Sequence, residues 1–370
     1  MNSLALPLRV ALGFGLASLA LADTEVPHPA PPTKEQTADW MAHGRTLPPP
    51  ELLQPTIDAG LPNFEPKQDK SLTGHLQGAA SDVLANISQR WIAAFKEYYP
   101  NVTVEVPPPY SGKVGAKELV GGKVDFALVS RELVPSDVTS FQAKFGYLPT
   151  SVPVMGGTYR AFGFLDAIVF FVNKDNPIDH LTFKQLDGIF SKTDHRGSEP
   201  IRTWGQLGVK GEWADKQIHL YAVKPWNGFE EFVRENVLSV PGKRGEWRED
   251  ANFYETVFPI APHVTEDKYG IGYAGIAYTT DDVKLIGVSA DDSGKPIRPT
   301  YDEVAKAEWP LSRLVYCNIN KSPTKPLDPV LSEWVRFILS KQGQEVVLQQ
   351  AIYIPLRASQ QVKSAALLGN

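Results

Sequence analysis

Three short loops carry side chains that suit the binding of a small anion. They are Ala79–Asp82, Tyr110–Lys113 and Ser130–Arg131, and each follows a predicted strand and leads into a helix. In an open α/β sheet, loops at the carboxyl ends of strands line the ligand crevice, and helix N-termini offer unpaired amides to anions. The candidate ligand-binding residues in these loops are Ser81, Asp82, Ser111, Gly112, Lys113, Ser130 and Arg131.

The residue types in these loops match the separate needs of a bound oxyanion. Ser81 and Ser111 can donate hydroxyl hydrogens, and Gly112 allows the backbone to approach closely. Arg131 can pair with two oxygens at once, and Asp82 can accept a hydrogen bond from a protonated oxyanion. Structural roles also fit each loop, with Ser81 or Asp82 as a helix cap and Arg131 in a surface ion pair.

The spacings that define common catalytic and metal sites are absent from the sequence. The 7 histidines show no H-E-x-x-H or comparable pattern, and there is no nucleophile elbow, P-loop or G-x-G-x-x-G motif. The acidic pairs Glu230–Glu231 and Asp291–Asp292 resemble solvated charges. The single cysteine, Cys317, lies in an apolar stretch, so we expect it to be buried, and it excludes an internal disulfide. We therefore expect no enzymatic activity, no cofactor and no metal.

An alternation of strand and helix patterns from about Ser71 onward must position the three loops. Apolar residues recur at helical spacing over 84–98, whereas they alternate over 102–106 as in a strand. A continuous apolar run over 167–172 is typical of a strand that is covered on both faces. The sequence thus predicts an α/β fold with mainly parallel strand pairing.

The length of the chain indicates how many domains it has, and its charge indicates which partners it can bind. The chain has 370 residues, which suggests about two domains. It carries 37 basic and 42 acidic residues, a net charge of −5. This balance argues against nucleic acid or an anionic membrane surface as a partner, since both select basic faces, but it permits a local anion pocket. We expect a monomer.

The first 66 residues differ in composition from the rest. Arg9 and the apolar run 10–22, which ends in Ala20-Leu21-Ala22, predict a signal peptide over 1–22 and a periplasmic or secreted protein; an uncleaved anchor is the alternative. Ten of the 31 prolines lie within 23–66, so we expect an extended arm there, either a flexible tether or a strap on the folded body. No later segment is long and apolar enough to span a bilayer.

The body of the chain, from about Leu76 to Ala351, resembles the PstS-like phosphate-binding proteins of ABC transporters, which are type II periplasmic binding proteins. The matching stretches are Ala167–Pro177, Leu181–Phe190, Thr203–Gly208 and Gly270–Tyr278.

The resemblance implies a two-lobed fold with mixed, mainly parallel sheets and helices on both faces. Lobe I would comprise 67–166 and 285–370, and lobe II, 167–284, would be inserted between them. The implied function is capture of phosphate or a related small oxyanion in the cleft between the lobes, by hinge closure, for an ABC-type permease.

The ligand motifs of this family match unevenly. The first loop of the family, Gly-Ser-x-Thr, reads Ala80–Val83 here, so the serine stays and the threonine is lost. The second and third loops are kept at Ser111–Lys113 and Ser130–Arg131. The fourth, Arg-x-x-x-Ser-Gly-Thr, reads Val223–Phe229 and retains only its glycine.

The resemblance nevertheless adds three lobe II candidates at the fourth loop: Lys224, Asn227 and Gly228. Lys224 would replace the lost arginine charge, although a lysine cannot reproduce the guanidinium fork. Two other functions stay open. One is a ligand-free scaffold or interaction protein that kept the fold, which the eroded fourth loop favours. The other is a secreted hydrolase, which the lack of a nucleophile–base set disfavours.

Overall fold

A computed structural model describes residues 55–159, 165–225, 227–292, 294–350 and 353–369. The predicted signal peptide, over 1–22, and the first part of the predicted arm, over 23–54, lie outside the described residues.

Strands and helices alternate along the described chain, as the sequence predicts. The strands are β1 (Gly74–Ala80), β2 (Val102–Glu105), β3 (Phe126–Val129), β4 (Thr150–Gly156), β5 (Ile168–Asn173), β6 (His180–Thr182), β7 (His219–Val223), β8 (Asn252–Tyr254), β9 (Gly270–Gly275), β10 (Val283–Leu285), β11 (Gly287–Ser289) and β12 (Leu314–Ile319). The helices are α1 (Ala85–Tyr98), α2 (Gly112–Gly121), α3 (Pro135–Phe145), α4 (Phe183–Phe190), α5 (Gly228–Val233), α6 (Ile260–Glu266), α7 (Tyr301–Ala305), α8 (Pro329–Leu339), α9 (Lys341–Leu348) and α10 (Ala358–Ala366).

Lobe I is built on a sheet with the strand order β2-β1-β3-β12-β4. β1 pairs in parallel with β2 and β3, whereas β12 runs antiparallel to β3 and β4. Apolar faces of α1 and α8 cover this sheet, with Trp91, Phe95, Trp334 and Phe337 fully buried in one core. Because β1 and β3 are parallel neighbours, the loops that follow them emerge at the same edge of the sheet.

Lobe II is built on a second sheet with the order β10-β5-β9-β7-β8. β7 pairs in parallel with β8 and β9, and β5 runs antiparallel to β9 and β10. Every residue of β5 is buried, as its apolar run predicts for a strand covered on both faces. A short parallel pair, β6 with β11, packs beside this sheet. The predicted α/β fold with mixed sheets is confirmed.

The chain returns to lobe I later than the expected boundary at 284/285. Residues 283–289 supply β10 and β11 to lobe II, and Tyr301, Val304, Trp309 and Leu311 belong to the lobe II core. We therefore place the return just before β12, near residue 312. The sequence pattern showed extended residues near 284 but did not show which sheet edge they join.

The described end of the predicted arm, residues 55–66, lies on lobe I and forms, together with Lys67, a segment that we call the strap (residues 55–67). Asp58 is fully buried and pairs with Arg357, with 3.5 Å between Oδ2 and Nε. The Ala358 amide donates to Asp58 Oδ2 at 3.0 Å, and the Lys341 amide donates to the Pro62 carbonyl at 2.8 Å. Of the two predicted forms of the arm, this part adopts the docked one.

The single cysteine and the helices both bear on predictions made from the sequence. Cys317 is fully buried, and burial raises the pKa of its thiol to about 12, which confirms the prediction of a buried cysteine. No helix in the described part of the chain combines the length and apolar character that crossing a membrane requires.

Candidate functional site

The three predicted loops meet at the mouth of one cleft between the lobes, with a volume of about 940 Å³. Its lobe I wall contains six of the seven residues predicted from these loops: Ser81, Asp82, Gly112, Lys113, Ser130 and Arg131. The opposite wall belongs to lobe II and consists of residues from α5 onward, between 231 and 244. The parallel pairing of β1 with β3 brings these separate loops together.

Ser81, Gly112 and Ser130 form the tightest part of the lobe I wall. Ser81 is 3% exposed, and its Oγ accepts hydrogen bonds from the amide of Ser130 at 3.2 Å and from the Ser130 hydroxyl at 3.3 Å. Gly112 faces this pair so closely that a Cβ at position 112 would overlap Ser81 Oγ. Ser81 makes no side-chain capping bond, so its hydroxyl serves the cleft wall and not the following helical turn.

Helix α2 presents its N-terminus and two lysines to the cleft. Ser111 does not line the cleft; its Oγ caps α2 by accepting a hydrogen bond from the Val114 amide at 3.4 Å. Lys113 and Lys117 both line the cleft because residues four apart share one helix face. Lys113 was among the predicted ligand-binding residues, whereas Lys117 was not.

Arg131 and Asp82 lie on the same wall with different surroundings. Arg131 is partly buried, and its Nη1 donates to the Glu132 carbonyl at 2.7 Å. Asp82 is exposed at the start of the 3-10 turn Asp82–Leu84. The neighbouring carbonyl thus holds the Arg131 side chain, and both residues line the cleft.

A buried carboxyl group, that of Asp137, also lines the cleft and was not predicted. Asp137 lies in the first turn of α3 and is 8% exposed. Burial raises the pKa of Asp137 above its usual value; the charges of Arg131 and Lys117 act in the opposite direction, and Glu231 of lobe II adds to the rise. The carboxylates of the two lobes therefore repel each other across the cleft unless a proton or a cation intervenes.

The three candidates from the fourth loop do not line the cleft. Lys224 forms an ion pair with Glu255, and the Asn227 side chain caps α5 by accepting from the Phe229 amide at 2.9 Å. Gly228 is the first residue of α5. The lobe II wall begins further along the chain, at Glu231 of α5, and extends to Arg244.

The lobe II wall contains basic residues that the sequence analysis missed. Arg234 lies in the π-helical turn Arg234–Leu238 that continues α5, and Lys243 and Arg244 follow a tight turn at Gly242. The only local signal was the run of two basic residues between glycines at 242–245, and nothing in its spacing indicated a ligand.

The charges that line the cleft favour an anion over a cation. Six basic side chains line it: Lys113, Lys117, Arg131, Arg234, Lys243 and Arg244. Four acidic side chains line it: Asp82, Asp137, Glu231 and Glu235. Among the described residues, no group of three or more His, Cys, Asp and Glu side chains is arranged to hold a metal ion. The arrangement can bind an oxyanion by hydroxyls, helix amides and fixed cations.

Comparison with known proteins agrees with this architecture. A sequence profile described as "PBP superfamily domain" matches residues 65–342. The chain is 33% identical to "Phosphate-binding protein PstS" of Pseudomonas aeruginosa over 314 residues, which are 85% of this chain and 92% of the relative. It is 26% identical to "Protein SphX" of Synechococcus elongatus over 284 residues, 75% of this chain and 76% of that protein.

The fold also has a counterpart among solved structures. PstS from Borrelia burgdorferi aligns with a TM-score of 0.53 at 16% identity and covers 76% of this chain and 98% of its own. The two sheets, the cleft between them, the matching profile and the extent of the 33% identity lead to one assignment. The chain belongs to the PBP superfamily and, within it, to the PstS-like periplasmic binding proteins.

Proposed function

We propose that this protein captures phosphate, or a related small oxyanion, in the cleft between its lobes and delivers it to an ABC-type permease. The observation that carries the proposal is the convergence of Ser81, Gly112, Ser130 and Arg131 on one wall, opposite basic residues of the other lobe. PstS relatives named for phosphate binding support the choice of ligand. The protein acts in the periplasm and performs no chemistry.

The lobe I wall binds first because its groups are already in place. The amides at the start of α2 and the Ser81 hydroxyl, whose oxygen already accepts from Ser130, donate to the anion, and Arg131 supplies a charge-assisted pair. Asp82 accepts a hydrogen bond from a protonated oxyanion. Sulfate carries no proton at neutral pH and therefore cannot donate this hydrogen bond. Closure of lobe II then removes water and strengthens each of these interactions.

Calorimetric titration with inorganic phosphate tests the proposal. We expect saturable binding to the wild-type protein, and binding about tenfold to a hundredfold weaker to Arg131→Ala, since one charge-assisted hydrogen bond contributes about 1.5–3 kcal/mol. Arg90→Ala is the matched control, because Arg90 is an exposed lobe I arginine that donates to Asn86 on its own helix. Absence of heat at millimolar phosphate, with wild type and Arg131→Ala alike, would contradict phosphate binding and favour the ligand-free scaffold.

A further inference from the structure

Lobe II lacks the ligand groups that its fourth loop was expected to supply, yet its wall is not empty. Val223 ends β7 where the family motif has arginine, and the side chains of Lys224 and Asn227 are engaged outside the cleft. A two-lobed binding protein needs contacts from both lobes, because a ligand drives closure only through interactions made in the closed state. The residues that provide them must lie elsewhere on the lobe II wall.

Arg234 combines cleft exposure with a fixed position. It is 9% exposed and lines the cleft. Its Nη1 lies 2.8 Å from Oε1 of Glu230, a fully buried residue, and the indole Nε1 of Trp247 donates to the same oxygen at 2.6 Å. Trp247 thereby orients Glu230, and Glu230 orients the guanidinium. An arginine held in this way loses little freedom when an anion binds.

The π-helical turn explains why this arginine reaches the cleft. Arg234–Leu238 inserts a wider turn after α5, and such turns displace side chains from the regular helical path. Ser239 closes the turn: its Oγ donates to the Arg234 carbonyl at 2.9 Å and accepts from the Gly245 amide at 2.9 Å. The backbone at Arg234 is therefore tied to the loop that carries the next arginine.

The carboxylate of Glu235 contacts both Arg234 and Arg244 and so holds the two arginines close together. Arg244 Nε donates to Glu235 Oε1 at 3.1 Å, and Arg234 Nε lies 3.7 Å from that same oxygen. A turn with reciprocal Val240–Lys243 backbone bonds of 3.0 and 2.9 Å brings Arg244 to this place. Glu235 thus bridges two guanidinium groups, and both line the cleft.

The bridged arrangement leaves donors to spare. A guanidinium has five N–H donors, and the ion pair between Glu230 and Arg234 uses only part of this fork. A buried ion pair adds little net stability by itself, because desolvation offsets the attraction between the charges. Binding of an anion by the remaining N–H groups of Arg234 would explain why the Glu230–Arg234 ion pair lies at this position of the wall.

We propose that Arg234 is the lobe II residue that binds the oxyanion, that Glu230 is its positioning residue, and that Arg244 makes a neighbouring contact. The proposal rests on the proposed function and takes the same class of ligand, a tetrahedral oxyanion such as phosphate. It gives each wall of the cleft an arginine that binds the anion directly, Arg131 from lobe I and Arg234 from lobe II, with Arg244 beside the second. Arg234, in the π-helical turn after α5, then replaces the anion-binding arginine that the fourth loop lacks.

Titration of Arg234→Lys with inorganic phosphate is the first test. Lysine keeps the charge but loses the planar fork, so phosphate affinity is expected to fall at least tenfold. The matched control is Arg248→Lys: Arg248 is also buried in lobe II, paired with Asp250 and bonded to the Ile189 carbonyl at 2.9 Å, but does not line the cleft. Its affinity should stay within twofold of wild type.

A double variant separates ligand binding from folding. Glu230→Gln with Arg234→Gln removes the ion pair as a unit and leaves an amide oxygen for the Trp247 indole, so no buried charge lacks a partner. We expect this variant to fold, as judged by circular dichroism, and to bind phosphate at least tenfold more weakly than wild type. Wild-type affinity in this variant, or in Arg234→Lys, would overturn the assignment of Arg234 while the proposed function stands. Absence of phosphate binding to wild type would overturn both.

Discussion

Gly112 is the residue at which the lobe I wall has least space. A Cβ there would overlap Ser81 Oγ and lie 3.2 Å from Val129 Cγ1. We predict that Gly112→Ala turns the Ser81 hydroxyl away from Ser130 and lowers phosphate affinity at least tenfold. The thermal midpoint should fall only modestly, because each of the two hydrogen bonds that Ser130 donates to Ser81 contributes about 0.5–1.5 kcal/mol. Calorimetry and thermal unfolding measure the two effects.

Gly121→Ala is the control for that substitution, since Gly121 is the last residue of the same helix. A Cβ there meets only Lys123 side-chain atoms, at 3.7 and 4.0 Å. This variant should bind phosphate as wild type does and should be no less stable. Equal affinities for both alanine variants would contradict a role for the space between Gly112 and Ser81.

At the residue scale, candidates chosen from the sequence lie on the lobe I wall of the cleft, but none of them lies on its lobe II wall. Ser81, Gly112 and Arg131 follow directly from strand ends, and parallel pairing of neighbouring strands brings such ends together. Arg234 follows from no strand end. Its place depends on a π-helical turn and on a bond between Glu230 and Trp247, 17 residues apart in the chain. Neither leaves a periodic pattern that a reader of the sequence can use.

At the scale of elements, the strap is a structural part of lobe I. Phe64 is 7% exposed and packs edge-on against Tyr98 and Phe337, with ring centroids 4.9 and 5.4 Å away. Its amide donates to Gln342 Oε1 at 2.6 Å. The Phe64 ring thus joins the strap to α1 and α8, the two helices that cover the lobe I sheet.

We therefore predict that Phe64→Ala destabilises the protein by about 3 kcal/mol, as expected for removal of a buried aromatic ring. Chemical denaturation monitored by circular dichroism gives this value. Phosphate affinity should remain unchanged, because Phe64 belongs to the lobe I core and not to the cleft wall. Leu148→Ala is the control: Leu148 is 57% exposed, and its loss should cost less than about 0.5 kcal/mol. An equal effect of the two substitutions would contradict docking of the strap.

The choice between tether and strap was open in the sequence for a physical reason. Proline-rich composition predicts extended backbone, but docking depends on partners far along the chain. The amide of Lys67 donates to Glu333, 266 residues away, and Asp58 accepts from the amide of Ala358, 300 residues away. The late return from lobe II has the same cause, since β10 was recognisable as extended while its pairing with β5 was not.

At the scale of the whole molecule, the two largest hydrophobic cores lie in different lobes, on opposite sides of a cleft that is far larger than one phosphate ion. Most residues of each core come from one lobe, so we expect each lobe to move as a body about the segments that join the two, one of which crosses near residue 312. The family resemblance in the sequence implied this two-lobed arrangement. It did not provide the residues that lie opposite each other, because those depend on how the lobes are oriented.

Ligand-driven closure is the prediction that belongs to this scale. Spin labels on Thr139→Cys of lobe I and Pro241→Cys of lobe II, both exposed positions near the cleft, report the distance between the walls. The native Cys317 can stay, because its thiol is fully buried with a pKa raised to about 12 and should not react with the label. We expect the mean distance from pulsed electron paramagnetic resonance to shorten when phosphate saturates the protein. The same labels on Arg131→Ala should show no shortening at that phosphate concentration, since the anion that joins the walls is then bound weakly. Binding of phosphate with an unchanged distance distribution would mean that the anion occupies the lobe I wall alone, and that the basic residues of lobe II do not complete the site.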